Sequence, residues 1–172
     1  MSSVEGDLRK MFKKSQKGFT IIELIATLVL IGILTVVAVS RFINFGAEVV
    51  TGADTLKMHI RYAQTKAMNS DDDTVWGIRC DGSSYWLFKG TDPSKDIALL
   101  PEDEKYLNDN KINLTKKKIS VTSFTVLFDN RGIPYSAYPG TQWVGAAISV
   151  TPASGSGTTV TVNITPLTGY IP

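Results

Sequence analysis

The sequence predicts an α+β protein, one long N-terminal helix with an antiparallel β-sheet packed on its distal half. Two patterns predict it. Over residues 19–67 the apolar side chains are first continuous and then fall at helical spacing. After residue 73, short β-branched and aromatic runs alternate with turn residues. A length of 172 residues suits roughly one domain plus an appendage.

Charge is unevenly spread within the formal net of +2. Residues 1–18 hold Arg9, Lys10, Lys13, Lys14 and Lys17 against Glu5 and Asp7, and the remainder has thirteen basic and fourteen acidic residues. A body with a net charge of −1 does not seek nucleic acid through its phosphates. The one cysteine, Cys80, can form no internal disulfide and no Cys-rich metal site, and is expected to be buried and inert.

The first element is the apolar half of the helix. Leu24 to Ser40 is a run of 17 uncharged residues, and Phe19 to Ser40 makes 22 with Glu23 as the one charge. A spanning helix needs roughly 20. The run is longer than a secretory h-region of about 7–15 residues, and Arg41 and Phe42 follow it instead of a small-x-small cleavage site. Lys13, Lys14 and Lys17 place the N-terminus on the cytoplasmic side and everything after Arg41 on the far side. Glu23 is the anomaly, because a charge in a spanning helix costs about 2.5–3.5 kcal/mol at the bilayer centre and less near an end.

A basic leader ending in Lys17-Gly18, followed by Phe19-Thr20-Ile21-Ile22-Glu23-Leu24 and an apolar run, resembles the class III signal of type IV prepilins and type II secretion pseudopilins. The resemblance implies a type IV pilin-like fold and a prepilin peptidase that cuts between Gly18 and Phe19 on the cytoplasmic face. It also implies N-methylation of Phe19. Glycine at the cut lets the backbone enter a tight cleft. The new α-amino group, which ordinarily titrates at roughly 7.7–8.0, is largely charged near neutrality. In such filaments the glutamate, here Glu23, pairs with the terminal amine of a neighbouring subunit, each charge offsetting the burial of the other. The implied partners are the peptidase, other pilins or pseudopilins, an inner-membrane assembly platform and the bacterial inner membrane. The C-terminal part would be periplasmic and later filament-borne. No cofactor, metal or enzymatic activity is implied. Where many members carry a proline near the end of the run, this chain has Ser40.

Beyond Arg41 the apolar positions Phe42, Phe45, Val49, Leu56, Ile60, Ala63 and Ala67 follow one helix face, and Glu48, Asp54, Lys57, Arg61 and Lys66 the other. The helix is expected to end near Asn69 and Ser70, about 75 Å from Phe19 at 1.5 Å per residue. The divisions are therefore a leader over 1–18, a spanning half over 19–40, an amphipathic half over 41–70 and a sheet part over 71–172. Strands are expected at 74–80 and 84–90, a hairpin across Asp81-Gly82-Ser83, and at 117–121, 124–128, 145–151 and 158–164. Residues 91–115 read as loop, and 129–134 and 153–157 as turns.

The stretch from Leu56 to Cys80, a helix leading into the first strand pair, and the turn Phe128-Asp-Asn-Arg-Gly-Ile-Pro134 resemble H-type minor pseudopilins and FimT-like minor pilins. The paired C-terminal cysteines of many major pilins are absent. These features imply a minor subunit, with a major pilin or a filament-borne DNA- or ligand-binding receptor as the alternatives. His59, the only histidine, has no metal-spaced partner, and no HExxH, CxxC, GxSxG or P-loop pattern occurs. Asp71, Asp72 and Asp73 read as a solvated loop before a calcium site, and Lys116, Lys117 and Lys118 as surface charge before a phosphate contact. Trp76, Tyr85, Trp86 and Phe88 read as sheet core, and Trp143 as a candidate contact surface.

Overall fold

The helix, α1, runs unbroken over Ile21–Met68 in the structure, a computed structural model that describes residues 18–70, 73–155 and 157–172 but not the side chains of residue 37 and residues 39–45. Thr20 starts it: its Oγ1 accepts from the N–H of Glu23 at 3.3 Å, and its carbonyl from that of Leu24 at 3.1 Å. Thr20-x-x-Glu23 is the capping-box spacing, and an acid in the first turn also meets the positive end of the helix dipole. The chain divides into two units, 1–41 and 42–172.

In the first unit, every described side chain from Phe19 to Val36 is exposed, including Ile22, Leu28 and Leu34, which point to different sides of the helix. Its hydroxyls turn inward: Thr27 Oγ1 donates to Leu24 O at 2.9 Å and Thr35 Oγ1 to Ile31 O at 2.7 Å. Such bonds let threonine sit in an apolar environment without an unsatisfied donor. Among the described residues no helix is long and apolar enough to cross a membrane. The end of the run expected to span 19–40 lies where side chains fall outside the described residues.

In the second unit the helix face read from spacing is the buried one. Val49, Leu56, Ile60, Ala63 and Ala67 are all within 1% of full burial, joined by Ala53 and His59; Phe42 and Phe45 lie outside the described side chains. Burying a leucine- or isoleucine-sized group contributes about 1.5–3 kcal/mol. Gly52 permits close approach to the sheet, since a Cβ there would stand 2.6 Å from Ile119 Cδ1.

Eleven strands follow among the described residues: β1 Trp76–Cys80, β2 Ser84–Lys89, β3 Ile97–Ala98, β4 Leu107–Asn108, β5 Lys111–Asn113, β6 Ile119–Val121, β7 Phe124–Phe128, β8 Pro134–Ala137, β9 Thr141–Gln142, β10 Ile148–Pro152 and β11 Val160–Val162. Eight form an antiparallel sheet in the order β4-β5-β2-β1-β7-β8-β9 with β3 also on β2, and three form a second sheet, β11-β10-β6. The β1–β2 hairpin turns where expected. Gly82 takes φ +97°, and Asp81 Oδ1 accepts from the N–H groups of Ser83 and Ser84, both at 2.8 Å. The stretch 91–115, read as loop, contains β3 to β5 and a 3-10 turn over Glu104–Tyr106. The stretch 129–143 adds β8 and β9.

Both faces of the large sheet are covered. Ile78, Cys80, Tyr85, Leu87, Val126 and Phe128 join the helix in one cluster. Trp86, Phe88 and Leu127, the alternate positions, join Val75 and Tyr135 in another. Gly77 opposes Phe88 across the β1–β2 ladder, and the Phe88 ring lies over the space where a side chain would be.

The Phe128–Pro134 turn is built on a buried acid. Asp129 is 3% exposed; its Oδ1 accepts from the N–H groups of Arg131 and Ile133, and its Oδ2 from the Arg131 guanidinium and the Tyr135 hydroxyl. Gly132 holds φ +77°, which favours glycine. Asp129→Ala is expected to destabilise this unit by about 2–4 kcal/mol by orphaning those donors, measurable as a lower urea midpoint at unchanged slope.

Candidate functional site

Gly18 and Phe19 precede the helix in a non-helical, exposed stretch. Phe19 is 80% exposed. A Cβ on Gly18 would meet nothing within 4 Å, and Gly18 is not among the glycines with positive φ. The fold therefore places no demand for glycine at this position; any such demand comes from what handles the Gly18–Phe19 bond. Four residues on, Glu23 is exposed in the first turn, bracketed by Ile22 and Leu24. Lys13, Lys14 and Lys17 lie outside the described residues. What the chain offers here is an accessible peptide bond, a helix start fixed by Thr20, and a carboxylate on an apolar rod. The Thr20 cap was not read from the sequence, although Thr20-x-x-Glu23 is the signal that could have found it.

The other candidates resolve into structure. His59 is fully buried: since Pro101 O can only accept, Nε2–H donates to it at 3.3 Å, and Nδ1 accepts from the Tyr85 hydroxyl at 2.9 Å. Both ring nitrogens are thus spent on joining the helix to β2 and the following loop. Burial lowers the His59 pKa, with the Pro101 bond and the Glu102 charge opposing and Lys117 assisting. The sign follows: the unfolded chain takes up a proton near pH 6.5 and the folded one only at lower pH. Stability is full above pH 6.5 and falls as pH drops towards the folded value. His59→Gln is expected to flatten the stability profile below pH 6.5 in denaturant titrations.

Cys80 is buried and burial pushes its thiol up to about 11, so it is a protonated core residue near neutrality. Each of the three lysines is occupied. Lys117 Nζ is 2.6 Å from Glu102 Oε2, Lys118 Nζ 3.0 Å from Glu48 Oε1, and Lys116 Nζ donates to Leu107 O at 3.1 Å. Glu102 Oε2 makes no well-angled hydrogen bond, so the ammonium of Lys117 is what compensates that buried oxygen. A cleft of about 210 Å³ lined by Ala47, Glu48, Thr51, Gly52, Tyr106 and Lys117 thus has its carboxylate paired with Lys118 and its ammonium with Glu102. Asp71 and Asp72 lie outside the described residues; Asp73 accepts from Asn130 at 2.7 Å, and no group of metal-ligating side chains occurs among the described residues. Tyr85, Trp86 and Phe88 are core, as read; Trp76, read with them, is only half-buried and packs against the core. Trp143 is the correction: at 5% exposure it belongs to the core and offers no contact surface.

Compared with known proteins, residues 13–39 match the family model described as the prokaryotic N-terminal methylation motif, a type IV prepilin-like motif. The match covers Lys13, Lys14, Lys17, Gly18, Phe19 and Glu23 together with the apolar run. No curated protein and no solved structure matches the chain.

Proposed function

We propose that this chain is a minor pilin or pseudopilin, a structural subunit of a type IV pilus or type II secretion filament. The observation that carries the reading is the methylation motif over 13–39, set on a helix start whose Gly18–Phe19 bond is exposed and whose glycine the fold does not need. A prepilin peptidase removes residues 1–18, Phe19 is N-methylated, and residues 19–40 hold the chain in the inner membrane as a single pass until it joins other pilins through the assembly platform. The N-terminus is cytoplasmic and residues 42–172 periplasmic. An apolar helix exposed on all sides supports this reading, since water is a poor solvent for it and lipid or neighbouring helices are good ones. The α+β architecture is consistent with a pilin-like fold. The subtype, H-type or FimT-like, rests on the Leu56–Cys80 stretch and the Asp129 turn.

Mass spectrometry of the mature protein tests it. An N-terminus at Phe19 carrying one added methyl group is expected. Gly18→Leu is expected to leave the precursor uncut in the membrane fraction while residues 42–172 stay folded, because that glycine touches nothing. A mature protein that retains residues 1–18 would overturn the reading.

A further inference from the structure

From Gly132 to Pro172 the chain contains no Asp, Glu, Lys, Arg or His, although charged residues make up 20% of the sequence. Burial does not explain the gap. Thr141, Gln142, residues 144–147 and residues 165–168 are exposed, and Val144, Leu167 and Tyr170 are 82%, 63% and 64% exposed. Exposed positions are where a domain ordinarily carries its charge, whereas the centres of protein interfaces are depleted of it.

An open strand edge lies within this uncharged surface. β9 ends its sheet, so one side of Thr141–Gln142 has no neighbouring strand among the described residues. The N–H of Trp143 donates back to Pro134 O at 3.0 Å, and the exposed residues 144–147 that follow belong to no strand. Val144, Gly145 and Ala146 make no backbone hydrogen bond among the described residues. Beside them runs a second exposed strip, residues 165–168, with Pro166 Cγ 3.3 Å from where a Cβ on Gly145 would be. None of the charged residues that usually guard an open edge is present.

We infer that this edge pairs with the same edge of a second copy of the chain, the Thr141–Val144 strips of two protomers running antiparallel about a two-fold axis. Charge selects that occupant. In a two-fold contact each residue near the axis meets its own copy, so any charge there faces a like charge. Other exposed parts of this unit carry Asp54, Arg61, Lys95, Glu104 and Lys105; the surface from Gly132 onward meets itself with none. Pairing gives the open side of Thr141–Gln142 a partner strand and withdraws Val144 and Leu167 from water.

Disulfide cross-linking of the full chain in detergent micelles tests this. Cys80, 2% exposed, stays silent. Val144→Cys is expected to give roughly tenfold more linked dimer than Asp54→Cys, which sits on the charged helix surface, the ratio expected for a preference of about 1.4 kcal/mol. Asp54 shares the helix with the apolar run, so association through that helix would favour Asp54→Cys, and an excess of Val144→Cys dimer reports the edge. Adding Leu167→Lys to Val144→Cys is expected to bring the yield down to the Asp54→Cys level at low salt and to restore part of it at about 1 M salt, where like charges are screened. Equal yields from Val144→Cys and Asp54→Cys overturn the inference and leave the neutral edge to a different protein. A Val144→Cys yield unmoved by Leu167→Lys overturns it as well.

Discussion

Replacing Gly77 with alanine is expected to destabilise residues 42–172 by about 3 kcal/mol, the upper end for overpacking a tight core. The added Cβ would stand 2.6 Å from Val126 O and 2.6 Å from Phe88 Cζ. Neither neighbour can step aside. Val126 O is main chain of β7, held in register with β1 from Trp76↔Phe128 to Cys80↔Phe124, and the Phe88 ring is fully buried. The strands must part or the ring must leave its rotamer. Either response touches the second core cluster, where Phe88 meets Val75, Trp86 and Leu127. A fall of roughly 10 °C in the melting temperature corresponds to that loss in a domain of this size. Thermal denaturation followed by near-UV circular dichroism checks it, and a loss below about 1 kcal/mol would show that the sheet yields at this point.

The second large effect concerns Glu23, and it rests on the proposed filament. Glu23→Ala is expected to leave membrane insertion and cleavage intact and to impair incorporation into filaments. Two terms oppose each other. Without the carboxylate the isolated helix enters lipid more easily, and its start is preserved, because the bond that Thr20 Oγ1 accepts comes from the residue 23 main chain. Only the dipole contribution of about 0.3–1 kcal/mol is lost there. In the assembled bundle, by contrast, a neighbour's terminal ammonium is left unpaired among apolar side chains, and stripping one partner from a buried pair costs about 3–5 kcal/mol. The second term wins. Membrane-bound and sheared-filament pools of mutant and wild type separate the outcomes: full membrane content with depleted filaments is expected, and wild-type incorporation at wild-type filament number would show that Glu23 has no part in assembly.

The helix was legible because its periodicity is long. Val49 to Ala67 fell on the buried face as spaced, and so did the first hairpin, whose Asp81-Gly82 turn is local chemistry. The excursion over 91–115 was not legible. Its strands are two or three residues long, too short for alternation to register, and their order comes from pairing with β2. One signal was present: Asp109 and Asn110 both take positive φ, 52° and 61°, joining β4 to β5 as a two-residue hairpin turn of the kind these residue types favour. Trp143 misled because turn residues surround it while tertiary packing buries it. The motif over 13–39 was legible for a different reason. A segment read as a linear peptide needs no fold to be recognised.

The Arg61 guanidinium donates to Ile171 O at 2.6 Å, across 110 positions of sequence, and Ile171 is itself buried. The helix thus waits for the other end of the chain. At a synthesis rate of about 5–20 residues per second, roughly 5–20 s separate the emergence of Arg61 from that of Ile171. Through that interval the face of Val49, Leu56 and Ile60 has no completed sheet to lie on, and closing the domain is a late, long-range event. The domain is accordingly unfinished until Ile171 has been made, and its moment of greatest exposure to proteases and chaperones falls before the C-terminal segment arrives.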